Sequence, residues 1–246
     1  MSLYVERVGS GPPVLLVHGS VTGARLTWRE QLPLGESWTL LLVDRPGFGG
    51  SPALARSDFE AEAPLVADLL DEPAHVVAHS YGGVISLLAA AMRPAGVRSL
   101  TVVEPPAFGV ARGQPAVESF VARATELWTV QPEDAAVFLE RFFRLVGSRP
   151  VLGRLKPELE RGTRLLRSER YPWEARIPLD DLAAAPFPKL AVSGAHDDAF
   201  EAVCDVLADR IGAERAVLPG RGHGAQRTGA PFNERLELFL ASAESG

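Results

Sequence analysis

The stretch Val76-Val77-Ala78-His79-Ser80-Tyr81-Gly82-Gly83-Val84-Ile85 decides how this chain is read. It begins as a β-branched apolar run and continues as a helical pattern, so the spacing predicts a strand over 75–78 and a helix over 80–92. A serine at the apex of so sharp a strand-to-helix turn needs very small residues two places before and two places after it, because a strained backbone leaves no room for larger ones. Ala78 and Gly82 meet that demand. Read in isolation, the same serine could serve as an ordinary helix N-cap.

Working outward, short apolar runs at 4–8, 14–17, 39–43, 99–103, 189–193 and 215–218 predict six more strands. Most are nearly continuously apolar, as strands covered by helices on both faces should be. Helical patterns fall at 59–70, 200–210 and 231–241. The alternation predicts an α/β fold with a mostly parallel central sheet flanked by helices. The interval 105–188 breaks this rhythm. It carries helical patterns, with Phe120, Leu127, Phe138, Leu139, Phe142 and Phe143 at helical spacing, and no convincing strand. Residues 1–104 and 189–246 are therefore expected to form one core, and 105–188 an inserted helical unit.

Composition narrows the function classes. The chain has 246 residues, 46% apolar and 23% charged, with a formal net charge of −6. That is enough apolar chain for one sizeable core, and it excludes disorder as the main description. An isoelectric point near 5.5 argues against a nucleic-acid partner. The single cysteine, Cys204, cannot form an internal disulfide, and the absence of CxxC or Cys/His spacing predicts no metal site. The start lacks a basic run followed by an apolar core, and the longest apolar stretch is interrupted at 79–83. The expectation is a cytoplasmic protein without a membrane partner, monomeric or homodimeric.

Five further loops follow predicted strands: His18-Gly19-Ser20; Asp44-Arg45-Pro46-Gly47-Phe48-Gly49-Gly50-Ser51; Glu104-Pro105-Pro106; Gly194-Ala195-His196-Asp197-Asp198; and Gly222-His223-Gly224. Together with the Ser80 turn they resemble the α/β-hydrolase superfamily, whose nucleophile elbow reads G-x-S-x-G, with Ala78 standing here for the first glycine. The resemblance implies an α/β-hydrolase fold in which 105–188 forms a helical cap. It makes Ser80 the nucleophile and His223 its base, and the Ser20 and Tyr81 amides an oxyanion hole. The acid has two candidates. Asp197 lies in a loop like the family's G-x-x-D and keeps the order Ser…Asp…His. Glu104 sits one strand earlier, where haloalkane dehalogenase-like members carry the acid. Asp197 ranks first, although Asp198-Ala199-Phe200 departs from what commonly follows the family's aspartate.

A serine nucleophile implies cofactor-free acyl transfer to water, with a small ester or lactone as the small-molecule substrate. A thioesterase, a carbon–carbon bond hydrolase and a non-catalytic ligand-binding member are the alternatives. Val21, Phe108, Trp128 and Phe142 are expected to line the pocket. From Arg141 to Arg170 nine basic residues face three acidic ones. Such a run reads first as a solvated helix face, and otherwise as a surface for an anionic substrate or carrier.

Overall fold

The computed structural model describes residues 2–149 and 153–245. Its centre is a seven-stranded sheet of β1 (Tyr4–Val8), β2 (Pro13–Val17), β3 (Thr39–Asp44), β4 (Ala74–His79), β5 (Val97–Val103), β6 (Lys189–Ser193) and β7 (Glu214–Val217). The strand order is β1-β3-β2-β4-β5-β6-β7, and every neighbouring pair is parallel except β1 with β3. The continuous apolar runs have their explanation here. The side chains of β4, β5 and β6 are almost all buried, whereas the edge strands β1 and β7 are partly exposed.

Helices α1 (Ala24–Thr27), α2 (Phe59–Ala67) and α3 (Tyr81–Met92) follow β2, β3 and β4 in turn. Of these, α3 is buried on nearly every side, since it lies between the sheet and α2. Its first turn sits so close to β2 that a Cβ on Gly82 would stand 2.3 Å from the His18 carbonyl oxygen. That approach demands glycine, and it sets the distance between the Ser80 turn and the loop after β2.

Between β5 and β6 the chain forms α4 (Pro115–Val130), α5 (Ala135–Leu145), α6 (Pro157–Ser168) and α7 (Leu179–Ala184), with no strand among the described residues. Phe108 and Phe120 from this interval join Phe200 of α8 (Asp198–Ile211), with ring centroids 4.6–5.2 Å apart. Such a triangle of aromatic contacts ties the inserted helices to the core. The final helix, α9 (Ala230–Ser245), covers the other face with Phe232, Leu236, Phe239 and Leu240. No helix among the described residues is long and apolar enough to cross a membrane.

Candidate active site

Ser80 stands at the junction of β4 and α3 with φ 54° and ψ −127°. A non-glycine residue in this region costs about 1–3 kcal/mol, so its surroundings must hold it there. They do so from both sides. Its amide donates to the Val103 carbonyl at 2.9 Å, and its own carbonyl accepts from the Gly83 amide at 2.7 Å. Gly19 lies so near that a Cβ there would come within 2.8 Å of the Ser80 Cβ.

His223, from the loop after β7, brings its Nε2 to 2.8 Å from the Ser80 Oγ. Its Nδ1 lies 3.0 Å from Oε2 of Glu104. A carboxylate can only accept here, so Nδ1 carries the proton and Nε2 is free to accept from the Ser80 hydroxyl. Glu104 is fully buried at the end of β5, and its backbone turns through φ 49° to aim the side chain at His223. Its Oε1 accepts from the Gly194 amide. Burial pushes this carboxyl up, but the imidazoles of His196 and His223 beside it more than reverse that and hold it at about 2. Burial lowers the His223 imidazole below its ordinary value, partly countered by Glu104.

Of the two candidate acids, Glu104 is the one the fold places within hydrogen-bonding distance of His223. Asp197 is the N-cap of α8, accepting from the Ala199 amide at 2.9 Å, with Arg123 3.4 Å away on its other oxygen. No hydrogen bond among the described residues joins it to His223. A residue that sequence reasoning left aside is His196, whose Nδ1 stands 3.3 Å from the Glu104 Oε2. Burial disfavours its charge, but the Glu104 carboxylate outweighs this and raises it. The expectation of no metal cluster rested on sequence spacing. Space brings together what spacing separates, for donor atoms of Glu104, His196 and His223 all lie within 4.8 Å of one another, a set that could hold a cation.

Neither the Ser20 nor the Tyr81 amide donates to an acceptor among the described residues. Two free N–H groups beside a serine hydroxyl can receive a developing oxyanion. Ser20, Ser80, Tyr81 and His223 open onto a narrow pocket of about 480 Å³, its mouth included. Phe108, Trp128, Phe142, Tyr171 and Trp173 form much of its wall. Val21, expected in that wall, lies elsewhere. It is buried at φ 74°, and Gly162 of α6 packs against it so closely that a Cβ there would stand 1.8 Å from the Val21 carbonyl oxygen.

Behind the pocket a second polar cluster surrounds Arg45, which is fully buried. Its guanidinium donates to Glu62 through Nε and Nη2 at 2.8 and 3.1 Å, to Ser57 at 2.9 Å, to the Gly19 carbonyl at 2.9 Å and to Glu169 at 3.3 Å. It also lies 4.6 Å from the centre of the Tyr81 ring. His18 accepts from the Arg45 amide through Nε2 and donates through Nδ1 to the Gly19 carbonyl. That tautomer is neutral, and burial with Arg45 nearby holds the imidazole down at about 3. Glu169 accepts from the Ser20 hydroxyl at 2.5 Å and lines the pocket. Burial pushes its carboxyl above the usual range, while Arg45 and Ser20 pull the other way. No motif spacing points to Glu62 or Glu169 as partners of Arg45. The available signal was physical: an arginine at the end of a buried strand needs a carboxylate.

A mostly parallel sheet, a strained serine after its fourth strand and a histidine after its last define an α/β-hydrolase, and the chain belongs to the alpha/beta hydrolase family, whose model matches residues 14–237. Among curated proteins it is similar to the pimeloyl-[acyl-carrier protein] methyl ester esterase of Chromobacterium violaceum, with 42% identity over 103 residues, 42% of this chain and 41% of that protein. It is also similar to the dihydrolipoyllysine-residue acetyltransferase component of the acetoin cleaving system of Pseudomonas putida, with 29% identity across 94% of this chain and 64% of that protein. The chain thus spans less than two thirds of the length of both. Of solved structures, an alpha/beta hydrolase from Sphaerobacter thermophilus matches with a TM-score of 0.71 and 25% identity, covering 97% of this chain and 96% of that one.

Proposed function

We propose that this protein is a serine hydrolase that cleaves small esters or lactones through an acyl-enzyme on Ser80. The observation that carries the reading is the chain of contacts from the Ser80 Oγ through His223 to Glu104, set at the floor of an aromatic pocket. In the first half-reaction His223 Nε2 takes the hydroxyl proton as Oγ attacks the carbonyl carbon. Glu104 keeps the imidazole in its tautomer and stabilises the imidazolium. The amides of Ser20 and Tyr81 receive the oxyanion, and the imidazolium returns the proton to the departing alcohol. Water, deprotonated by the same nitrogen, then releases the acid. Labelling by a fluorophosphonate probe that disappears in Ser80→Ala, together with turnover of 4-nitrophenyl esters, lactones or acyl thioesters, tests this and sorts the linkages. A folded protein that neither labels nor turns over would leave only a binding role.

A second reading concerns how the ester is delivered. The name of the Chromobacterium relative specifies an ester borne on an acyl carrier protein. On α5, α6 and the segment leading into α6, Arg141, Arg144, Arg154, Lys156, Arg161 and Arg164 are exposed, a surface suited to an acidic carrier. Charge reversal by Arg161→Glu should then lower kcat/KM for a carrier-bound ester and spare the free methyl ester.

A further inference from the structure

The pocket contains a charge that the Ser80–His223–Glu104 chain does not use. Arg45 is engaged through two nitrogens by Glu62, and Glu169 holds the same guanidinium by one longer contact. Two carboxylates therefore share one cation, and no other basic side chain among the described residues pairs with Glu169. Arg170 also borders the pocket, yet its guanidinium turns away to Asp58, Glu60 and Glu174 and lies over Phe59. Each oxygen of Glu169 spends one lone pair, on Arg45 and on Ser20, and a carboxylate offers about four. The surplus acceptor capacity borders a pocket that also holds Ser80.

Resting on the ester-hydrolase reading, we propose that Glu169 is a specificity-determining residue, and that the pocket favours substrates carrying an ammonium or similar cationic group over those carrying a carboxylate. A fixed charge among apolar walls acts over several ångströms with little screening. The walls reinforce the same choice. Trp128, Tyr171 and Trp173 meet with ring centroids 4.9–6.3 Å apart, and aromatic faces attract cations, most strongly when water is excluded. A carboxylate placed there would face both Glu169 and the negative faces of these rings. A neutral ester meets neither penalty, so discrimination falls on charged substituents. The chemical class is an ester of an amino-bearing acid or alcohol.

The test uses 2-phenylethylammonium, 2-phenylethanol and phenylacetate at roughly pH 8, well above the carboxylate range. Each is measured as a competitor of 4-nitrophenyl butyrate hydrolysis and titrated calorimetrically into Ser80→Ala. The ammonium should bind at least about tenfold more tightly than the carboxylate. In Glu169→Gln that preference should shrink to about threefold or less, with 2-phenylethanol changing less than either ion. Equal binding of the two ions by the wild-type protein overturns the proposal, whether or not Glu169→Gln folds. So does a preference that survives in a folded Glu169→Gln. If no ester is hydrolysed but calorimetry shows the preference and its loss in the double variant Ser80→Ala, Glu169→Gln, the reaction proposed above falls and this selectivity stands.

Discussion

Two buried polar clusters meet at residues 18–20 and 80–81, and they treat charge in opposite ways. In the first, one carboxylate, Glu104, serves two imidazoles, His223 and His196. In the second, one guanidinium, Arg45, serves two carboxylates, Glu62 and Glu169. The first holds atoms that can exchange protons near neutral pH, and it opens onto the pocket. Arg45 instead keeps its charge at all accessible pH and joins the loops after β2 and β3 to α2 and α6. The difference teaches where function and stability reside. Removing a member of the first cluster should cost turnover, and removing Arg45 or Glu62 from the second should cost folding, while Glu169 borders the pocket as well as Arg45.

The sharpest way to break that comparison is Ser80→Ala or His223→Ala. Turnover of 4-nitrophenyl butyrate should fall by about 10⁴-fold or more, while the melting temperature stays close to that of the parent. Arg45→Met should do the reverse. It leaves Glu62 buried without its partner, so urea unfolding should show a loss of about 3–5 kcal/mol. Glu104→Gln removes the group that holds the His223 tautomer, and kcat should drop by about 10²- to 10⁴-fold. Its control is Asp197→Asn, which touches the start of α8 and the exposed Arg123 of α4 and makes no hydrogen bond to His223 among the described residues. There kcat should stay within a few-fold, and stability should fall by about 1 kcal/mol or less.

The pH responses should also separate the clusters. Burial lowers His223, so the acid limb of kcat/KM should have its midpoint below 6.5 and activity should rise with pH through it. In the second cluster burial and Arg45 hold the His18 imidazole down at about 3 in the folded state, against near 6.5 when unfolded, so it is neutral in the folded protein above about pH 4. As pH falls below 6.5 the unfolded chain takes up the proton first, so stability is greatest above that value and declines toward pH 3. A melting-temperature profile that stayed flat from pH 7 to 4 would contradict this assignment of His18.

The turn at Ser80 was legible because its chemistry is local: a strand, a small residue, a serine, two glycines and a helix stand within a dozen positions. His223 was legible as the histidine between glycines after the last strand. Which carboxylate meets His223 was not, because both candidate loops follow buried strands at the carboxyl edge of the sheet. The choice falls to the backbone of Glu104, whose turn at φ 49° points it toward His223. Val21 is expected in the pocket wall, but it is buried at φ 74° with Gly162 of α6 packed against its carbonyl. Glu169, counted only as one of three acidic residues in a basic run, gave no local signal, since its partners are 124 and 149 positions away.

What the sequence by itself determined is the alternation of apolar strands and amphipathic helices and the strained serine turn, because periodicity and steric room are properties of neighbouring residues. Which carboxylate reaches the imidazole, which arginine is shared and what charge the pocket carries were decided only in the tertiary structure. These depend on ångström separations between side chains that the chain brings together from distant positions, and a carboxylate's role changes with every cation and amide that burial places beside it.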